Sequence, residues 1–287
     1  MVLLANTNNK RYKKMLHYLL ITLILCIVSI NLMIISIQDL HYRHTVMIVV
    51  LNITASIATV LGFITVYRHG LSGSHGKSYL FLTIGISLWF YADLYIMYSY
   101  FVMGVNEDLQ ISLSDALWLT GYLFLSLHLI SIMRSVGIKN LSKTISIISI
   151  VVVGFIIANL IGTSYFSMNS DQTKVETINN KGISLLVTIL YPVLDMSLII
   201  PSVIILVNIY KEYEHSVSWT LLSLSLLINA IADNGYTQDF IIGHPSSYPW
   251  DLFYITDFII IIAALFWYNK FHISNFINEK KISTNSR

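Results

Sequence analysis

Long apolar runs separated by short polar breaks dominate the chain. Eight of them, at about 15–37, 45–67, 78–102, 113–133, 144–163, 185–209, 216–236 and 250–269, are each near twenty residues or longer. The hydrocarbon layer of a bilayer is ~30 Å thick, and a helix needs roughly 20 apolar residues to cross it. Segments in lipid must satisfy their own backbone hydrogen bonds, which favours helices. The pattern therefore predicts an all-α polytopic membrane protein with eight transmembrane helices. One membrane domain is expected over residues 1–270, with 271–287 as a short cytoplasmic tail. The first run follows Lys10, Arg11, Lys13 and Lys14, exceeds twenty residues and lacks a small-residue cleavage motif. It reads as a retained helix rather than a signal peptide.

Composition agrees with this picture. Of 287 residues, 55% are hydrophobic and 11% charged, too little polar surface to cover a soluble globule of that size. Cys26 is the single cysteine, which excludes an intramolecular disulfide and a cysteine-based metal site. Charge matters through its arrangement. With eight spans both termini share one side, and 14 of the 17 Lys and Arg residues fall there, against Arg43, Lys174 and Lys181 on the other. The positive-inside rule then makes both termini cytoplasmic, in the plasma membrane.

The informative polar residues lie inside the apolar runs. All five glutamates occupy loops or tails, whereas six of the ten aspartates, Asp93, Asp115, Asp195, Asp233, Asp251 and Asp257, fall in spans or at their mouths. On the topology above each sits in the outer half of its helix. An aspartate at the centre of a membrane helix costs about 3 kcal/mol even on the milder scales, so an outward-opening acidic pocket lined by aromatic residues is expected. Trp89 and Asp93 share one helix face, four residues apart, and Tyr91, Tyr95 and Tyr98 form a neighbouring stripe that also suits a membrane-interface belt. Tyr191-Pro192-Val-Leu-Asp195 places a carboxylate beside a proline that disturbs backbone bonding.

Two aspartates have a simpler reading. Ser112-x-x-Asp115 is a capping box, and Asp251 falls in the first turn after Pro249, where a carboxylate suits the helix dipole. Capping does not explain Asp93, Asp195, Asp257 or Asp233, the last placed by sequence at a helix C-terminus before Gly235. These four are the stronger ligand-binding candidates, with Trp89, Asp115, Asp251, Trp118 and Tyr254 around them. Such carboxylates can act as proton acceptors or neutral donors, or coordinate a hard cation.

The motif Asp115-Ala-Leu-Trp118-Leu-Thr120-Gly-Tyr122 has a second copy, Asp251-Leu-Phe-Tyr254-Ile-Thr256-Asp-Phe258, without a gap. Ala92-Asp93 meets Ala232-Asp233 if the intervening loop is four residues shorter in the second half. This predicts a 4+4 parallel internal repeat, with halves at about 15–134 and 144–270 and a site between them.

Other chemistries are disfavoured. With no lysine in the hydrophobic part of a span, a retinal Schiff base is excluded. His17 and His128, the two histidines in spans, fit packing or interfacial roles as well as an axial haem pair. No His-x-x-x-His, Gly-x-Ser-x-Gly or phosphate-binding loop occurs, and no basic face invites nucleic acid.

Ser114-Asp115-Ala-Leu-Trp118-Leu-Thr-Gly121-Tyr122, Tyr191-Pro-x-x-Asp195 and Trp250-Asp251-Leu-Phe-Tyr254 together resemble the eight-helix membrane sensory module at the N-terminus of some bacterial histidine kinases and diguanylate cyclases, with archaeal stand-alone relatives. The likeness covers residues 45–270. It departs at Leu113, where that family favours Pro-Ser, and no kinase or cyclase segment is present in the chain. It implies sensing, with output supplied by a cytoplasmic or membrane signalling partner. Ser114-Asp115-Ala-Leu is also similar to a motif of the lysoplasmalogenase family, which implies aspartate-dependent lipid hydrolysis. The leading expectation is a non-enzymatic ligand-binding module in contact with membrane lipids; the alternatives are a lipid hydrolase and a structural subunit of a membrane complex.

Overall fold

The computed structural model describes residues 2–71, 73–104, 112–138, 140–169, 190–209, 213–242 and 248–273. The acidic turn with Glu107 and Asp108, residues 170–181 of the long polar loop, the start of the sixth apolar run at 185–189 and the tail from 274 lie outside them. Every element among the described residues is helical: α1 (Val2–Ile35), α2 (Leu40–His69), α3 (Gly73–Tyr98), α4 (Leu113–Val136), α5 (Leu141–Asn169), α6 (Tyr191–Asn208), α7 (Tyr213–Ile242) and α8 (Tyr248–Trp267). Seven of the described helices are long and apolar enough to cross a membrane, and α5 carries a shorter apolar segment, Leu141–Ile157. The protein is a helical, multi-pass membrane protein.

Local chemistry sets the ends. Asp39 caps α2, its side chain accepting from the Tyr42 N–H at 2.7 Å. A π-helical turn over Ser99–Met103 follows α3 and stops at Gly104 in the left-handed region, φ 65°. The predicted capping box opens α4: the Ser112 side chain accepts from the Ser114 N–H, and Asp115 Oδ2 accepts from the Ser112 N–H at 2.9 Å.

The glycine-rich stretch Arg68–Lys77 is mostly helix: α3 already starts at Gly73, and the turn is confined to the residues around Gly70, φ 77°. One expectation is corrected. Gly235 does not end α7, which runs on to Ile242. The missing side chain makes room instead for Trp250 of α8, whose ring lies 2.4 Å from where a Cβ would be. Asp233 is therefore an interior residue of α7, not a C-terminal one.

Helices α2, α3, α4, α6, α7 and α8 pack in a closed ring, each against the next, with α8 returning to α2. Helices α1 and α5 lie outside it. The apolar window of α1 is only 6% buried, against 39 to 56% for the other spanning helices, and Asn31 Nδ2 ties it to Thr256 Oγ1 of α8 at 3.2 Å. On α5, Thr144 Oγ1 accepts from Asn208 Nδ2 of α6 at 3.1 Å. Ile145, Ile150, Val153, Ile156 and Ile157 of α5 are exposed, which suits contact with lipid.

Helices α3 and α4 approach each other closely. Cβ atoms built on Gly85 and Gly121 would each lie 3.2 Å from the other residue's carbonyl oxygen, and the one on Gly121 would sit 2.5 Å from Trp89 Cδ1. Small residues let membrane helices meet this closely, because packing rather than hydrophobic burial joins them. Gly121→Ala is expected to destabilise the protein by about 1–3 kcal/mol, the usual cost of overpacking. Gly154→Ala on α5, with nothing within 4 Å of the added carbon, should leave stability unchanged or slightly higher; thermal unfolding in detergent compares the two.

Candidate functional site

At the end of the ring where α3 and α7 finish and α4, α6 and α8 begin, polar side chains from five helices converge. Tyr122 of α4 is at the centre, and only 2% of it is exposed. Its hydroxyl is 2.9 Å from Asp195 Oδ1 of α6 and also contacts Asp233 Oδ2 of α7. Tyr254 of α8 donates to the other Asp233 oxygen at 2.5 Å. Above this layer Tyr191, one turn before Asp195, donates to Asp115 Oδ1 at 3.0 Å. The capping carboxylate thus also joins α4 to α6.

Asp93 occupies the α3 side. It is buried, its Oδ1 accepts from Trp118 Nε1 at 3.3 Å, and its backbone carbonyl accepts from Asn52 Nδ2 of α2 at 3.4 Å. The carboxyls of Asp251, Asp233 and Asp257 lie within electrostatic reach of Asp93. Helical periodicity explains why these residues can meet: Asp115, Trp118 and Tyr122 recur at i, i+3 and i+7 along one face of α4.

Asp257 is set apart. It lies inside α8, fully buried, with Ser225 donating to Oδ1 and Asn229 Nδ2 donating to Oδ2 at 3.2 Å. Both oxygens are supplied by α7, so this carboxyl acts as a clasp between α7 and α8. Trp89 is 3% exposed; it donates through Nε1 to the Trp118 carbonyl at 3.2 Å and packs edge-on against Tyr122 with centroids 5.4 Å apart. It supports the site from beneath. Asp251 stands half-buried in the first turn of α8, as the capping reading expects.

Tyr122 and Tyr191 were not among the candidates, although the sequence held a signal for both. Each lies one turn from a named residue on the same helix face, Tyr122 from Trp118 and Tyr191 from Asp195. Tyr91, Tyr95 and Tyr98, the predicted aromatic stripe, line a separate open groove of about 650 Å³ with Leu94, Phe101 and Leu117, between the end of α3 and the start of α4. No aspartate lines it. The expected acidic, aromatic pocket is thus divided: the carboxyls form a packed hydrogen-bonded cluster, and the aromatic stripe lines a separate apolar groove.

His128 follows the packing alternative. His128 is fully buried at the other end of the ring, its Nδ1 2.9 Å from both Ser78 Oγ and the Ser78 carbonyl, while His17 is exposed. Among the described residues no group of three or more His, Cys, Asp or Glu side chains is arranged to hold a metal ion.

Compared with known proteins, the chain matches no family model, no curated protein and no solved structure.

Trp118→Phe removes the indole N–H from Asp93 and keeps an aromatic ring in place. Leaving that buried oxygen without its donor is expected to cost about 1–3 kcal/mol. Tyr91→Phe, at a position 56% exposed, should stay within about 0.5 kcal/mol of the parent, and the two are separated by their thermal unfolding midpoints.

Proposed function

We propose that the chain is an eight-helix sensory module of the plasma membrane, built as two four-helix repeats with both termini cytoplasmic. It binds a small ligand, cation or lipid headgroup at the acidic end and relays occupancy through helix movement to a signalling partner. The observation that carries this is the convergence of Asp93, Asp195 and Asp233 with Tyr122, Trp118 and Tyr254 at one end of a closed ring of helices. Carboxyls drawn from three helices at a single locus are costly in a membrane and mark function more often than packing. The orientation follows from the 14 to 3 division of basic residues.

The repeat is supported by contacts that recur under the alignment of Asp115 with Asp251 and Asp93 with Asp233. Trp118 donates to Asp93, and Tyr254, its counterpart, donates to Asp233. Ser78 Oγ donates to the His128 carbonyl at 3.3 Å, and Ser218 Oγ to the matching Ala264 carbonyl at 3.1 Å. Trp89 lies on Gly121 where Asn229 meets Asp257. Setting Asn52 on Asp195 extends the match to α2 and α6: Ala55, Ala58, Thr59, Gly62 and Thr65 fall on Leu198, Pro201, Ser202, Ile205 and Asn208, all buried. With this alignment the halves differ most where function is proposed, Asn52 and Phe258 standing opposite Asp195 and Tyr122.

One observation favours the lipid hydrolase as a second reading. The open apolar groove beside the α3–α4 interface is suited to an acyl chain, and hydrolysis would call on carboxyls as general acid and base.

A thermal-shift panel on the protein in lipid nanodiscs tests the sensory reading, using Ca²⁺, Mg²⁺, alkylammonium ions and soluble phospholipid headgroups. At least one compound should stabilise the parent, by about 2.7 kcal/mol at a hundredfold excess over its Kd, and lose its effect in Asp93→Asn/Asp233→Asn. A panel with no shift contradicts the sensory reading; fatty acid release from added lysophospholipid, abolished in the same variant, establishes the hydrolase.

A further inference from the structure

The carboxyls around Tyr122 have more acceptor oxygens than hydrogens to serve them. Tyr122 carries one phenolic hydrogen, yet its oxygen contacts both Asp195 Oδ1 and Asp233 Oδ2. Tyr254 carries one more, directed at Asp233 Oδ1. An ionised carboxylate can only accept, so two hydrogens face three contacting oxygens. The fourth oxygen, Asp195 Oδ2, is buried with no donor at all. Asp233 is its close neighbour in electrostatic and hydrogen-bonding range, but can supply a donor only if a proton lies on one of the two acids.

The elements packed on α6 offer no positive charge as a substitute. On α4 the facing groups are Tyr122 and Asp115; its Arg134 lies in the last turn at the opposite end, and its His128 is bonded to Ser78. Helix α7 presents Asp233 and Tyr236, α8 presents Tyr254 and Asp251, and neither helix contains Lys or Arg. On α5 the single charged residue is Lys143, beside Thr144 at the far end. Across the ring, Asp93 adds another carboxyl. Space narrows the choice further: Asp195 is 0% and Tyr122 2% exposed, and a proton is the one cationic ligand that needs no cavity.

We propose that Asp195 and Asp233 jointly hold one dissociable proton, with Tyr122 and Tyr254 as its fixed hydrogen-bond partners, making this pair a proton-binding site. With the proton bound, every contact has a hydrogen. When it leaves, α6 and α7 each carry a carboxylate facing the other in a low-dielectric setting, and the repulsion acts on the two helices that Tyr122 ties to α4. The site deepens the sensory reading and rests on it only for the meaning of the signal.

Thermal unfolding of the full chain in nanodiscs, from about pH 5 to about pH 9 in buffer free of metal cations, tests the proposal. The folded form holds a proton that an unfolded aspartate has released above about pH 4, so its stability declines as pH rises. The folded-to-unfolded ratio should drop about tenfold per pH unit through the range in which that difference persists. Asp195→Asn, whose amide replaces the neutral acid, should flatten this decline by about one proton's worth, whereas Asp39→Asn, at the exposed cap of α2, should leave it in place. Parallel curves for the parent and Asp195→Asn overturn the proposal, as does recovery of the parent's alkaline midpoint on adding Na⁺ or Ca²⁺, which would make the occupant a metal cation. Should Asp195→Asn fail to fold, infrared spectra of the parent decide: a protonated-carboxyl carbonyl band at neutral pH that vanishes on alkalinisation is expected, and its absence overturns the site. A flat pH response with ligand shifts intact would remove the proton site and leave the sensory reading; a steep response with no ligand shift would do the reverse.

Discussion

A carboxyl group enclosed by apolar helices must be given hydrogen-bond donors by its neighbours, and the ring is organised around meeting that demand. Tyr122 reaches from α4 to Asp195 on α6 and Asp233 on α7. Tyr254 reaches from α8 to Asp233, Trp118 from α4 to Asp93 on α3, and Tyr191 from α6 to Asp115 on α4. In hydrocarbon no water stands ready to replace a lost donor. Each of these bonds therefore specifies which helix lies beside which, and at what register, more strongly than interchangeable aliphatic contacts can.

The aromatic donors are useful because they are long and rigid. A tyrosine or tryptophan spans the gap between helices while burying a large ring, and its single polar atom arrives at a defined depth. Glycine makes room for them: Gly121 admits the Trp89 ring and Gly235 admits Trp250. Close backbone approach and aromatic bridging are thus two parts of one packing solution, which brings the carboxyls to one end of the molecule while α1 and α5 stay at the periphery.

Much of this was legible in the sequence because membranes restrict the options. Apolar runs of the right length announce helices, and aspartates inside such runs have no inexpensive explanation, so Asp93, Asp195 and Asp233 stood out before any coordinates. The Asp115 capping box was equally readable, being a local hydrogen-bond pattern. What escaped were facts belonging to partners distant in the chain. The roles of Ser225 and Asn229 in supplying both oxygens of Asp257 depend on the relative rotation of α7 and α8, which periodicity alone does not reveal. Gly235 follows the usual rule for a helix stop, but a tryptophan from the next helix used the space and the helix continued. Tyr122 was in plain view within the motif; its importance appeared only once α6 and α7 were placed on either side of it.

The Tyr122 hydroxyl couples α4 to the carboxyl pair of α6 and α7. A double-mutant cycle between Tyr122→Phe and Asp195→Ala, read as unfolding free energy at neutral pH, measures that coupling. The account predicts that the double variant loses less stability than the two single losses combined, with an interaction energy of about 1 kcal/mol or more. Losses that add to within about 0.3–0.5 kcal/mol, as they do for independent sites, would contradict it.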